Sequence, residues 1–432
     1  MHRHRGKAAL ATLVVSMACV GGAQVEHARH GAGHVRPGIT VLLADSSTYI
    51  DGKRVGLLTN QSGVNEKGVS DIDLFVRRAA EQKGAGPQLT ALFAPEHGIR
   101  GTEDRTNLAN GRDARTGIPI YSLYGATTLA PPDSVLKTLD VLVIDLQDLG
   151  ARPWTFAATM VYAMRAAAQN HVRVLVLDRP NPITGSHVEG PLLDTAFAYA
   201  GRHSSDRAAT PTAIYPIPSR HGLTMGELAR FYNDVLGLHA DLKVIPVDGW
   251  RRADWFNDTK LPWIKPSPNM PTLTSATLYP GVVWLEATNI SVGRGTPEAF
   301  QHVGAPWLDA KKAVDLLKSR ELPGVKFEEE RFTPVHPGDD KYGGVSVHGI
   351  HIIITDRERV NTARLGAALL WAIIQTNKDS VRFEQKGFNQ LFGVRGAREV
   401  FMSGADPDSL IDASVPATIQ FEQATKKYRL YK

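Results

Sequence analysis

The sequence predicts an α/β protein in two parts, a Rossmann-like three-layer N-terminal domain and a smaller α+β C-terminal domain. Three observations predict it. A chain of 432 residues is longer than one hydrophobic core ordinarily serves. Through the first half, short apolar runs alternate with stretches of helical periodicity, the pattern of a parallel sheet covered on both faces. Around residues 250–271 the composition turns rich in Trp, Pro and Asn, and beyond that point the alternation fades. A composition of 43% hydrophobic and 22% charged residues, with 39 Gly and 26 Pro, belongs to a globular chain rather than a disordered or collagenous one. The expected limits are 39–257 for the first domain and 258–432 for the second.

Taken in order, residues 1–23 read as a secretory signal: Arg3, Arg5 and Lys7 without acids, an apolar run from Ala8 to Val20, and small residues near Gly21 to Ala23. The run is too short to span a bilayer, so no stable membrane insertion is expected once it is removed. Cys19, the single cysteine, lies inside it, leaving no intramolecular disulfide, thiolate metal site or cysteine nucleophile afterwards. Ala18-Cys19 also offers a lipidation junction, though Ser16 and Met17 suit it poorly. The expected destination is the periplasm or the exterior. Residues 24–38 lack periodicity and read as a flexible leader. The formal charge of +5 belongs largely to the signal, since removing its three cations from 49 Lys and Arg leaves 46 against 44 acids. No dense basic cluster follows, which argues against a nucleic-acid partner.

Residues 55–59 form the first expected strand and 71–82 an amphipathic helix with Asp71 near its cap. A strand at 89–94, a polar loop through 117, a short helix at 133–139 and a strand at 141–144 follow. Helices at 155–169 and 224–236 and strands at 172–177 and 242–247 complete the alternation. The second half offers helices at 310–320 and 362–375, a strand at 349–354, and mixed ends.

Polar clusters fall just after four strands: Asn60-Gln61-Ser62, Pro95-Glu96-His97-Gly98, Asp145-Leu146-Gln147-Asp148 and Asp178-Arg179-Pro180-Asn181. Open α/β sheets bind ligands outside the carboxyl ends of their strands, so the four imply one pocket. The usual phosphate and metal motifs are missing. There is no Gly-x-Gly-x-x-Gly after a strand; Gly293-Arg294-Gly295 reads as a loop turn. Neither a Walker lysine nor His-Glu-x-x-His occurs, and Ser134-x-x-Lys137 reads as a helix start. His348 and His351, three apart on a strand, point to opposite faces. Dinucleotide, nucleoside triphosphate and zinc-protease readings lose their main supports. What remains are acids and amides. Glycoside hydrolysis needs a proton donor for the leaving oxygen and a second group that attacks or activates water, posts usually filled by carboxyls. Glu96 leads for the first, with Pro95 stiffening its approach and Gly98 admitting a substrate. Asp145 and Asp178 lead for the second, with Asp148, Glu189 and Glu286 near the same loops.

Read together, the clusters resemble the bacterial exo-β-N-acetylmuramidase family, NamZ. The carrying stretches are residues 56–63 (through Thr59-Asn60-Gln61-Ser62-Gly63), 93–101 (with Pro95-Glu96-His97-Gly98), 119–125, 145–152, 178–183 and 188–191. Two more lie further on, Ser267-Pro268-Asn269-Met270-Pro271 and residues 286–296 with Asn289 and Gly293-Arg294-Gly295. The resemblance runs from about residue 50 nearly to the end. It implies a cofactor-free hydrolase that takes single N-acetylmuramic acid residues from the non-reducing ends of peptidoglycan-derived chains, with the catalytic glutamate at Glu96 and a C-terminal auxiliary domain. Trp154 and Phe156 stand where the family pattern suggests tyrosines, so an aromatic platform survives there but a phenol role does not. The lactyl carboxylate of such a substrate suits a bidentate arginine, for which Arg100, Arg152 and Arg294 are candidates. Asn60, Gln61, His97, Gln147, Asp148, Glu189, Asn269, Glu286 and Asn289 are expected to bind the sugar. The rival expectation is a non-catalytic, two-lobed periplasmic sugar-binding protein.

Overall fold

The structure is a computed structural model that describes His2 and residues 34–101, 109–124, 129–198, 212–384 and 387–432. Apart from His2, the expected signal lies outside the described residues, as does the leader up to residue 33. The leader's last residues are docked: Val35 is buried, and Arg36 pairs with Asp248 through its backbone and at 2.8 Å through its side chain.

Helix α1 (Gly38–Asp45) follows at once. It lies so close to the sheet that a Cβ on Gly38 would stand 2.6 Å from the backbone nitrogen of Asp178. The first unit then alternates β1 (Arg54–Thr59), α2 (Asp71–Glu81), β2 (Gln88–Ala94), a short edge strand β3 (Gly111–Arg112), β4 (Pro119–Ser122), α3 (Asp133–Leu136), β5 (Val141–Asp145), α4 (Phe156–Gln169) and β6 (Arg173–Leu177). A small hairpin, β7 (Glu189–Leu192) with β8 (Pro218–Arg220), precedes α5 (Met225–Val235) and β9 (Leu242–Ile245). The order across the seven-stranded sheet is β3-β4-β2-β1-β5-β6-β9, parallel except for β3. Successive side chains of a strand face opposite ways. Leu57, Val143 and Leu175 accordingly pack with Ile39, Leu42, Ile72 and Phe75 of α1 and α2, whereas Leu58, Ile144 and Val176 join Phe156, Met160 and Leu228 of α4 and α5. This is the expected three-layer α/β arrangement.

The second unit starts from α6 (Leu273–Val282), which carries Pro280 and runs into a 3-10 turn, Val283–Ala287. β10 (His302–Ala305), α7 (Ala310–Ser319), β11 (Val325–Phe332) and β12 (Val347–Ile354) follow, the strands pairing antiparallel in the order β10-β12-β11. The buried helix α8 (Thr362–Asn377) packs on α6 and α7. Three helices close the chain: α9 (Gly387–Phe392), α10 (Ala397–Ser403) and the long α11 (Asp408–Thr425). Sequence periodicity finds α7, α8 and most of β12 but misses α6 and α11, which carry prolines at 280 and 416.

Candidate active site

The parallel strands end on one rim, and the direction of strand addition reverses between β1 and β5, where an open sheet leaves a crevice. Glu96 follows β2 on that rim. Gly98 N–H donates to Pro95 O at 3.1 Å, closing a turn in which His97 and Gly98 take φ of 69° and 75°. The half-buried Glu96 carboxylate accepts a hydrogen bond from the Thr155 hydroxyl. Thr155 occupies the N-cap position of α4 without bonding the helix's own N–H groups, so its hydroxyl serves Glu96 instead. The Tyr124 phenol lies close to the same carboxylate. Burial first, then the adjacent Glu96 charge, pushes the Tyr124 phenol above its ordinary range, so it stays a donor.

Beside this acid stands an aromatic wall. Trp154 meets Tyr279 edge-on with centroids 5.6 Å apart, and Tyr279 meets Phe300 at 4.9 Å. Burial raises Tyr279 well above the usual phenol range, the carboxylates of Glu286, Glu96 and Asp148 push the same way, and Arg294 opposes them. Tyr279 thus lies within electrostatic reach of all four charged groups. Arg294 sits on a tight turn whose flanking glycines, Gly293 and Gly295, have φ of 78° and 80°. Its Nε donates to Glu286 Oε1 at 2.5 Å. A shallow cavity of about 190 Å³, lined in part by Thr212, Glu286 and Glu384, opens beside Glu286.

Asp148 forms a second buried carboxylate in the crevice. Gly150 N–H donates to its Oδ2 at 2.6 Å, while its Oδ1 has no partner among the described residues. Leu223 N–H donates to His221 Nδ1 at 3.1 Å. That bond leaves the ring proton on Nε2, which faces Asp148 Oδ2 at 3.4 Å. Among the described residues no three metal-ligating side chains gather, and no helix is long and apolar enough to cross a membrane.

Two family models match, described as "Exo-beta-N-acetylmuramidase NamZ, N-terminal" over residues 55–274 and its C-terminal counterpart over 277–431. The chain belongs to the NamZ family. It is 38% identical over 399 residues to the peptidoglycan beta-N-acetylmuramidase NamZ of Bacillus subtilis (strain 168), covering 92% of this chain and 91% of that one. Two crystal structures of DUF1343 family proteins from Bacteroides fragilis NCTC 9343 share the fold. One superposes with a TM-score of 0.81 at 32% identity, covering 92% of this chain and 99% of its own; the other gives 0.72 at 28%, with 93% and 99% covered.

Within this NamZ-family fold, only part of the expected site faces the crevice. Asp145 and Asp178, expected as catalytic carboxyls, are wholly buried and fully engaged. Asp145 is clamped by the guanidinium of Arg179, whose Nη2 stands 3.0 Å away. Asp178 accepts from Arg179 N, Gly226 N, the Thr224 hydroxyl and the Tyr431 phenol. Both brace the rim from beneath, because a carboxylate taken fully out of water must find internal partners. Arg152 is likewise structural: it donates to the carbonyls of Leu391 at 2.8 Å and Phe392 at 3.1 Å, capping α9, and burial lowers its pKa to about 10. Arg100 is exposed at the rim and pairs with Asp113.

Several expected sugar ligands also turn inward. Burial favours the neutral form of Glu189, but Arg220 at 3.0 Å, His187 and the Thr362 N–H hold its pKa below the ordinary value. Asn289 spans to the 380–382 segment, donating to Ser380 O and accepting from Arg382 N. Asn60 accepts from Ser62 N and Oγ, Gln61 donates to Lys265 O, and Gln147 donates to Asp148 O and Pro180 O. Buried Asn269 bonds Ser267 Oγ through its N–H, and His97 is buried at the turn beside Glu96. Glu96, Asp148, Glu286 and Arg294 remain around Tyr279. Thr155, Tyr124, Tyr279 and His221 are additions. Thr155 looks like a helix cap and Tyr279 like core, so neither carries a local signal; Tyr124 lies in a stretch already singled out at 119–125.

Proposed function

We propose that the protein is an exo-acting glycoside hydrolase that releases N-acetylmuramic acid from the non-reducing ends of peptidoglycan fragments, with Glu96 as general acid and base. Family membership supports the reaction. The observation that carries the residue assignment is a carboxyl held by the Thr155 hydroxyl, with the Tyr124 phenol alongside, next to an aromatic wall at the crevice of the sheet. A protonated Glu96 gives its proton to the glycosidic oxygen as the bond to the anomeric carbon breaks. The resulting carboxylate then takes a proton from water that completes the hydrolysis. Trp154 and Tyr279, both buried, pack behind the Glu96 end of the site. Asp148, with one buried oxygen unpartnered and His221 holding the other, is the carboxylate placed to orient the acetamido group or the attacking water. Arg294, the candidate arginine beside Glu286, pairs with the lactyl carboxylate.

The test is turnover of a chromogenic N-acetylmuramide and of its N-acetylglucosamine counterpart by the wild type and Glu96→Gln. Selective turnover of the muramide, with kcat lower by about 10²–10⁴ in the variant, is expected. Full activity in Glu96→Gln removes the assignment, and turnover of neither sugar by the wild type favours a binding protein. The basic and apolar opening of the chain supports export to the periplasm or beyond; cell fractionation finding the protein only in the cytoplasm contradicts that.

A further inference from the structure

The connection between β11 and β12, residues 333–346, leaves the small sheet and folds onto the segment that carries Glu286 and Arg294. Four contacts fasten it. Lys341 Nζ donates to Glu286 O at 2.6 Å and reaches Ile290 O at 3.3 Å. The Tyr342 hydroxyl donates to Asn289 O at 2.6 Å, and Val335 N–H donates to Gly295 O at 3.0 Å. The fit is close: a Cβ on Gly295 would stand 2.6 Å from Val335 O. Trp307 Nε1 lies 3.3 Å from the Tyr342 oxygen and steadies the ring. The Lys341 side chain is only 16% exposed, and its nearest carboxylate, Asp339, is 3.7 Å away, so backbone carbonyls rather than an acid hold its head group.

These carbonyls belong to both ends of one short loop. Glu286 closes the 3-10 turn after α6, Ile290 lies four residues on, and Arg294 sits on the next turn with its guanidinium against Glu286. An ammonium bonded to two carbonyls of a loop fixes their separation more firmly than neutral donors do. A side chain held to within about 0.5 Å is what recognition of a planar carboxylate requires. We propose that Lys341 and Tyr342 are positioning residues through which the C-terminal domain shapes the carboxylate subsite, holding the 286–295 segment so that Arg294 meets the lactyl group of muramic acid. The inference rests on the assignment of Arg294 made above. Lys341 and Tyr342 themselves touch neither the sugar nor Glu96.

The test is inhibition of aryl N-acetylmuramide turnover by free N-acetylmuramic acid and by its methyl ester, which lacks the negative charge. In the wild type the acid binds more tightly than the ester. In Lys341→Met that preference is expected to shrink about tenfold, the factor of roughly 1.4 kcal/mol, with KM rising in step and kcat within about twofold. Tyr342→Phe, which deletes one hydroxyl, is expected to move the preference the same way by about two- to threefold, and it decides the matter if Lys341→Met does not fold. An unchanged acid-to-ester preference in folded Lys341→Met, or a fall in kcat at constant KM, overturns the proposal. Arg294→Met separates the two readings. If it abolishes the preference while Lys341→Met does not, the arginine assignment stands and this inference alone fails. If Arg294→Met leaves the preference intact, the assignment itself is wrong and the inference falls with it.

Discussion

Asp71, Asp145 and Arg179 lie together beneath the rim between β1 and β5, and their protonation decides how each tolerates substitution. Burial, followed by the charge of Asp145, raises the Asp71 pKa well above the carboxylate range and favours a proton on Asp71, while the Arg179 guanidinium pairs with Asp145. Arg179→Met therefore strands a buried negative charge and is expected to cost about 3–5 kcal/mol in a urea unfolding titration. Asp71→Asn keeps a neutral side chain of nearly the same shape and is expected to cost far less. Equal losses from the two variants contradict the protonation assignment. At this scale the sequence told residue type but not posting. Asp145, Asp148 and Asp178 all follow strands, yet only Asp148 keeps an unpartnered oxygen, because Arg179, Tyr431 and Thr224 reach the others from distant points in the chain.

Among the elements, the crossing of α6 and α8 sets where the Glu286 turn begins. The two helices touch at Gly281 and Gly366, where a Cβ on Gly281 would stand 1.9 Å from Thr362 O and one on Gly366 would stand 2.4 Å from Gly281 O. Replacing glycine by alanine inside a helix ordinarily stabilises by up to about 1 kcal/mol. Here the contact is with backbone that cannot swing aside, so overpacking wins, and Gly281→Ala is expected to lose about 1–3 kcal/mol by thermal unfolding. A higher melting temperature contradicts this packing. The displaced helix also shifts Glu286, so KM is expected to rise in the same variant. Helix α6 is a case where hydrophobic periodicity fails for a physical reason: every residue from Ser275 to Val282 is buried, so no polar face marks its period.

Over the whole molecule, the chain's last residues return to the first domain and tie its sheet. Leu430 N–H donates to Glu227 at 2.8 Å, Arg252 N–H donates to Lys432 O at 3.0 Å, and the Tyr431 hydroxyl reaches Asp178 at 2.6 Å. Burial outweighs the donors around Asp178 and pushes its pKa up to about 7. A carboxyl raised in the folded state binds more protons folded than unfolded between its two pKa values. Its contribution is therefore complete below about pH 4, the ordinary value, and is lost as pH rises through about 7. Wild-type stability is expected to fall across that window by a few kcal/mol at most, and more steeply than that of Asp178→Asn. Parallel unfolding midpoints for the two proteins between pH 4 and 8 contradict this.

The sequence by itself determined the parallel sheet, the positions of five of its seven strands and the rim on which the polar clusters lie, because apolar period and strand-end polarity are local properties of the chain. It also placed Glu96 among them. Only the tertiary structure decided which polar residues face the crevice and which brace it. Buried charges take whatever partner stands nearest in space. Here those partners lie up to 253 residues away, as with Tyr431 and Asp178, or come from the other domain, as with Arg152 beneath α9.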